Sequence, residues 1–172
     1  MSPLSSGATV AVSASGELTS ALDLGTGRAS QILARKMVLG SGTGAGKADR
    51  IWSDTRTLAA SATEDLDLAG VLLDAYGSTV TFARIKGLVI AAADANTNNV
   101  IVGAAASNPW ATLLGATHTL TLRPGAFVAL GTGKADATGY AVTAGTGDLL
   151  KVANSAGGTP VTYSVHIIGA SA

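Results

Sequence analysis

The feature that most constrains the fold is a two-residue alternation of apolar and polar side chains, and it is clearest near the end of the chain. In "VTYSVHIIG" (161–169) every second side chain is apolar, namely Val161, Tyr163, Val165 and Ile167. The side chains between them are polar, namely Thr162, Ser164 and His166. Because successive residues of a strand point to opposite faces, this segment predicts a strand with one buried and one exposed face.

Similar short segments recur along most of the chain. Turns rich in Gly, Asn and Pro separate roughly eight to ten of them. Ala, Gly, Thr and Ser supply more than half of the residues and only 13% are charged, which suits strands and tight turns better than helices. The sequence therefore predicts an all-β fold, an antiparallel β-sandwich that is jelly-roll-like.

The first part of the chain differs from the rest, although 172 residues suit a single domain. Residues 1–25 are mostly small and polar, with one strand-like island, "TVAVSA" (9–14). We expect residues 1–25 to be a flexible, extended N-terminal arm that orders only against a neighbouring subunit. Residues 26–172 then form a single β-sandwich domain. A sheet edge on the neighbour could accept the arm as an added strand, through Thr9, Val10 and Val12.

A long strand is predicted in "TVTFARIKGLVIAAA" (79–93). Its charged residues, Arg84 and Lys86, alternate with smaller and apolar ones, so we expect both to face solvent. The opposite face then holds Ala83, Ile85, Gly87 and Val89. After the polar turn "DANTNN" (94–99), we expect "VIVGAAA" (100–106) to return as the hairpin partner of this strand.

The stretch "LGSGTGAGKADR" (39–50) suggests a phosphate-binding loop, because four alternating glycines lead to a lysine. The phosphate-loop pattern G-x-x-x-x-G-K-[ST] needs a glycine and a hydroxyl residue where this chain has Ser41 and Ala48. A dinucleotide pattern survives only as Gly40, Gly42 and Ala45. We therefore expect a loop that is mobile or ordered against a neighbour, and no cofactor.

Metal sites are predicted to be absent. The segment 94–99 opens like a calcium loop, but Asn99 and Ala105 replace the glycine and the bidentate glutamate that such a loop requires. A second acidic group, Glu64, Asp65 and Asp67, could bind a hard cation. Because the two aspartates alternate with leucines, a solvated strand face is the preferred interpretation.

Catalytic residues are also predicted to be absent. His118 and His166 are the two histidines, and neither has a nucleophile motif beside it. Trp52 and Trp110 are the rings that could form a sugar platform, with anchoring in the core or in an interface as an equal alternative. We predict that the protein is not an enzyme and keep both tryptophans as candidate interaction residues.

Charge limits the classes of partner. Lys and Arg number 11, Asp and Glu number 11, and the net charge is zero, so we expect neither nucleic acid nor a membrane surface as partner. Low net charge weakens repulsion between copies and favours specific association. The chain has no cysteine, and its first residues do not suggest a secretory signal.

Three segments, "RTLAASATEDLDLAG", "DATGYAVTAGTGDLLKVANS" and "VTYSVHIIGASA", together resemble small structural virion proteins of tailed bacteriophages. The resemblance covers most of residues 50–172. It implies a structural component of the particle, assembled in the bacterial cytoplasm and located in the virion. Jelly-roll proteins of this size in such phages commonly serve as trimeric capsid decoration or as parts of tails and fibres.

From this resemblance we expect a capsid decoration, or cement, protein that forms a trimer and stabilises the lattice of the major capsid protein or of other virion proteins. Many repeated contacts would make modest affinity at each site sufficient. The alternative is a tail or fibre component, for example one that contacts host glycans. A free carbohydrate-binding accessory domain of an enzyme is a third class.

Overall fold

The computed structural model describes Leu4 and residues 6–172. Within them the chain forms twelve strands and one short helix. The strands are β1 (Ala8–Leu22), β2 (Gly25–Ser41), β3 (Lys47–Ala48), β4 (Arg50–Leu58), β5 (Thr63–Asp67), β6 (Arg84–Ala92), β7 (Val100–Gly103), β8 (Thr119–Leu122), β9 (Phe127–Gly131), β10 (Tyr140–Ala141), β11 (Leu149–Asn154) and β12 (Val161–Ala170). The helix α1 (Ala111–Leu114) follows β7. Among these residues no helix has the length and apolar character needed to cross a bilayer.

Two antiparallel sheets enclose one large core. The first has the order β10, β6, β12, β4, with β9 also paired to β6, and the second has the order β5, β11, β7, β8. Side chains from both sheets form a single cluster of buried residues. The predicted all-β sandwich is therefore confirmed, while the jelly-roll path of the connections stays a prediction.

Strand β12 lies at the centre of the first sheet, between β4 and β6. Its predicted inward side chains, among them Tyr163 and Ile167, are buried in the core. On the outer face, hydroxyl groups pair across β4 and β12: Thr55 with Ser164 and Thr57 with Thr162, each at 3.0 Å. The alternation in this segment was therefore assigned to the correct faces.

One side-chain cluster joins the two sheets at their edge. The guanidinium of Arg56 on β4 lies 2.6 Å from the carboxylate of Glu64 on β5, and the Tyr163 hydroxyl donates to the same carboxylate at 2.8 Å. The hydrogen bond with Glu64 raises the pKa of Arg56, and burial raises the pKa of Tyr163. Glu64 is thus committed to a structural contact between the sheets.

Strand β6 corrects the prediction that Lys86 faces solvent. Gly87 pairs with Ile168 and Ile85 pairs with Gly169, so Lys86 is an extra residue in a β-bulge. A bulge shifts the phase of a strand by one residue, and the core side chains beyond it are Leu88, Ile90 and Ala92. Lys86 itself is fully buried, with 0% of its surface exposed.

The prediction that residues 100–106 return as the hairpin partner of this strand was wrong. Strand β7 lies in the other sheet, between β11 and β8. Asn96 exchanges hydrogen bonds with the main chain of Thr162, and the Asn98 amide donates to the carbonyl of Thr159. These bonds fix residues 94–99 as a corner that carries the chain from one sheet to the other.

Candidate interaction site

The candidate site is a long β-hairpin that projects from the sandwich. Strands β1 and β2 pair from Ala8 with Leu39 to Leu22 with Gly25. From residue 11 to residue 36 every position is exposed except the half-buried Gly27. At roughly 3.3 Å per residue, this projecting part of the hairpin is about 40 Å long. We call residues 11–36 the projecting hairpin.

The projecting hairpin has two unlike faces, because directly paired residues share a face. One face carries most of the large apolar side chains: Val12, Leu18, Leu22 and Leu33. The opposite face carries hydroxyl groups, Ile32 and most of the charges, including the ion pair of Arg28 with Glu17 at 2.6 Å. We call the first of these the apolar face; Leu18 on it is 64% exposed and Leu33 is 59% exposed.

At its base the same apolar face is buried within the chain. Val10, Met37 and Leu39 belong to a second cluster of apolar side chains with Ile168 of β12 and Ala48 of β3. A Cβ atom at Gly87 would lie 2.8 Å from Cγ2 of Val10, so the missing side chain allows β1 to approach the sheet closely. The sandwich therefore anchors the hairpin by the continuation of its apolar face.

The glycine-rich loop closes around the buried lysine beside this base. The Lys86 ammonium donates hydrogen bonds to the carbonyl oxygens of Thr43, Gly44 and Lys47, at 3.2, 2.5 and 2.7 Å. An ammonium has three donors, so each is used. Burial lowers the pKa of Lys86, and the neighbouring charge of Arg84 lowers it further.

This geometry is the opposite of a phosphate-binding loop. Such a loop directs N–H groups at an anion, whereas here carbonyl oxygens converge on a cation. Gly46 adopts a φ of 64°, and a Cβ there would come within 3.0 Å of the Lys134 carbonyl oxygen. Glycine is therefore required for the loop to fold back over Lys86. This loop was predicted to be mobile or to be ordered against a neighbouring molecule. Ordering by a side chain of the same chain, Lys86, was not predicted.

The structure removes Trp52 and Trp110 from the interaction candidates. Both rings lie in the core, 4% and 5% exposed. The Nε1 group of Trp52 donates to the carbonyl of Leu73 at 3.0 Å, and that of Trp110 to the carbonyl of Ala141 at 2.8 Å. A ring enclosed in this way cannot stack on a sugar or contact a partner. The alternative interpretation, anchoring in the core, fits both residues.

The three remaining candidates lie together on β1. Val10 and Val12 are on the apolar face and Thr9 is on the opposite one. Val10 packs within the chain, while Val12 is 43% exposed. The segment 9–14 is a strand as predicted, but it pairs with β2, so the projecting element contains residues on both sides of the predicted boundary at residue 25. The flexibility of residues 1–25 stays a prediction.

The groups weighed as metal or catalytic candidates are dispersed. Within Leu4 and residues 6–172, no three acidic or histidine side chains are grouped so that they could hold a metal ion. His166 lies on the outer face of the first sheet, in a shallow recess with Asp54 and Ser164, and burial lowers its pKa. His118 lies in the exposed loop before β8.

The most exposed apolar residues of the hairpin were not predicted from the sequence. A signal was present, since every second residue from Val10 to Leu18 is Val, Ala, Gly or Leu, and the apolar Leu22 follows after Ser20. Comparison of the chain with protein-family models, with curated proteins and with solved structures gave no match. The geometry of the hairpin therefore carries the functional argument.

Proposed function

We propose that the protein is a structural subunit of a bacteriophage particle, bound to the outside of the capsid as a decoration protein, and that the projecting hairpin is its assembly element. The observation that carries an assembly role is the exposed apolar face of residues 11–36. The assignment to a capsid rests on the resemblance of residues 50–172 to virion proteins. A non-catalytic role is part of the same proposal.

A two-stranded hairpin is marginally stable in water unless something packs against it. Beyond Val12, the large apolar side chains of the projecting hairpin are exposed and pack on neither sheet. Burying a large aliphatic side chain contributes about 1.5–3 kcal/mol, so Leu18, Leu22 and Leu33 would together stabilise a contact substantially. A partner surface therefore explains why these side chains are apolar.

The rest of the molecule suits a rigid support for this element. The sandwich has one continuous core, and the Lys86 contacts fix the loop beside the hairpin base. Small residues along the projecting hairpin lose little side-chain entropy when a partner covers them. Repetition of such a contact over a lattice multiplies a modest affinity at each site.

Copy number in purified particles tests the proposal. Decoration of a capsid lattice predicts copies on the order of hundreds per particle, in a fixed ratio to the major capsid protein on a quantitative gel. A value of a few to some tens would overturn the capsid assignment in favour of the tail or fibre alternative. Absence from the particle, together with glycan retention by the isolated protein, would favour the carbohydrate-binding accessory class.

A shortened hairpin provides the matched variant. Residues 13–34 are replaced by Asn-Gly, which joins Val12 to Arg35. These two residues are directly paired, and they lie an even number of pairs from Leu22 and Gly25, so a two-residue turn fits here as it does at the natural tip. We expect particles that lack the protein to take up the full chain but not this variant.

A further inference from the structure

A cleft lies between the base of the hairpin and strand β9. It has a volume of about 660 Å³, and it is lined on one side by Val12 and Met37 and on the other by residues 129–134. Its walls are mainly apolar, and the basic side chains of Arg35, Lys36 and Lys134 also border it. The cleft therefore combines an apolar floor with a positively charged rim.

Strand β9, which lines one side of this cleft, is an exposed edge strand of the first sheet. It pairs with β6 on one side and with no strand of the described residues on the other. The sequence of β9, "FVALG", has no charged residue, as is also true of the edge strand β8, whereas the edge strand β4 carries Asp54 and Arg56 and the edge strand β5 carries Glu64. Charged side chains protect sheet edges from association, and β9 lacks that protection.

The projecting hairpin has the chemistry to fill such a cleft. Its apolar face continues the one that already packs at the hairpin base. The outer part of the hairpin cannot reach the cleft of its own chain, because Leu18 lies eight residues beyond Val10, about 26 Å farther along β1. The occupant must come from another molecule.

The area involved favours exchange between identical chains. A ribbon about 40 Å long and roughly 10 Å wide presents only about 400 Å² on one face. Stable interfaces bury about 800 Å² on each partner. If each chain both donates a hairpin and receives one, its buried area doubles, to about 800 Å² when the whole face is covered. Exchange between two copies therefore brings the buried area toward that of a stable interface.

We propose that the projecting hairpin of one copy docks, by its apolar face, into the cleft beside β9 of a second copy. This inference rests on the proposed function, because it names the partner of the same assembly element. Reciprocal or cyclic exchange then links the subunits before or during their attachment to a larger surface.

The test uses the absence of cysteine from the chain, so that a single introduced thiol is the one reactive site. Ala29→Cys places a thiol on the apolar face, directly opposite Leu18, and Ser30→Cys places one on the other face at the same depth. The rate of reaction with a water-soluble maleimide is measured for the full chain in its associated form. We expect the Ala29→Cys thiol to react at least roughly tenfold more slowly than the Ser30→Cys thiol, because docking covers it.

A second substitution locates the contact. Ala129 faces the cleft from β9, so Ala129→Glu should abolish the protection of the Ala29→Cys thiol. Ala91→Glu is the matched control, since Ala91 lies on the same outer sheet face but in a different recess. Circular dichroism and urea unfolding confirm that both glutamate variants are folded.

Three results would overturn the inference: equal reaction of the two thiols, protection that persists with Ala129→Glu, or protection that is lost equally with Ala91→Glu. Its failure is distinguishable from failure of the proposed function. Equal thiol reactivity in a protein present in hundreds of copies per particle would refute the docking and leave the function intact. Protection of the thiol in a protein absent from particles would do the reverse.

Discussion

The ammonium group of Lys86 donates a hydrogen bond to the main-chain carbonyl oxygen of Lys47 at 2.7 Å. Lys86 lies in the bulge of β6, and Lys47 follows the glycine-rich loop. The contact joins the first sheet to the segment that leads out of the hairpin. A buried lysine without an anionic partner in hydrogen-bond contact is unusual, and here three carbonyl dipoles take that place.

Lys86→Met tests this contact. The substitution keeps the length of the side chain but leaves the three carbonyl groups without their donor, so we expect the free energy of unfolding to fall by about 2–4 kcal/mol. Amide exchange in residues 42–47 should accelerate more than exchange in β12. Lys134→Met, at an exposed position, is the control. A loss equal to that of the control would contradict the structural role of Lys86.

Gly87→Ala tests how the hairpin is anchored. The added Cβ would lie 2.8 Å from Cγ2 of Val10, so we expect a loss of about 1–3 kcal/mol in the free energy of unfolding. In a Val10→Ala background the loss should be smaller, because the obstructing methyl group is gone. Gly133→Ala is the control, since a Cβ there would meet nothing within 4 Å. Losses that simply add would show that Val10 does not pack on Gly87.

Glu64→Gln tests the link between the sheets. Gln keeps the shape of the side chain but removes the charge that Arg56 and Tyr163 contact, so we expect a loss of about 1–3 kcal/mol by urea unfolding. Asp54→Asn removes the other carboxylate on the same guanidinium, at a more exposed position, and should cost less than about 1 kcal/mol. The reverse order of the two losses would contradict the account.

The strands that could be predicted from sequence are those whose alternation runs without interruption. Strand β12 has such a pattern from Val161 to Ile167, and its faces were assigned correctly. Strand β6 was assigned to the wrong faces beyond Ile85, because a bulge shifts its phase. The bulge depends on pairing with Gly169, far away in sequence, where the close approach of the main chain leaves no room for a Cβ.

The candidate site shows the same division. The strand character of residues 9–14 is local and was predicted. The pairing of this segment with β2, the burial of Trp52 and Trp110, and the enclosure of Lys86 by the glycine loop all depend on contacts between distant parts of the chain. A sequence pattern indicates that a strand has two unlike faces, but it does not show which face a tertiary contact will cover.

The pH dependence of stability should show the contribution of His166. Burial lowers its pKa in the folded protein below the usual 6.5, so the unfolded chain binds more protons as the pH falls below that value. The contribution of His166 to stability is therefore fully present above about pH 6.5 and is lost as the pH falls through the lowered pKa.

Urea midpoints between pH 5 and 7.5 measure this effect, in the range roughly above the titration of most carboxylates. We expect the midpoint of the natural chain to rise with pH up to about 6.5 and then to level off, and we expect His166→Gln to flatten that rise. His118→Gln, in the exposed loop before β8, is the matched control. Identical slopes in the natural chain and in His166→Gln would refute the prediction.

Sedimentation velocity of the full chain beside the variant with the shortened hairpin tests the central claim most directly. The account predicts that the full chain sediments as an oligomer, and that the variant sediments as a folded monomer of nearly unchanged unfolding free energy, because residues 13–34 are exposed apart from the half-buried Gly27. Equal oligomeric states for the two proteins, whether both are monomers or both are oligomers, would contradict the claim that the projecting hairpin links copies of this protein to one another.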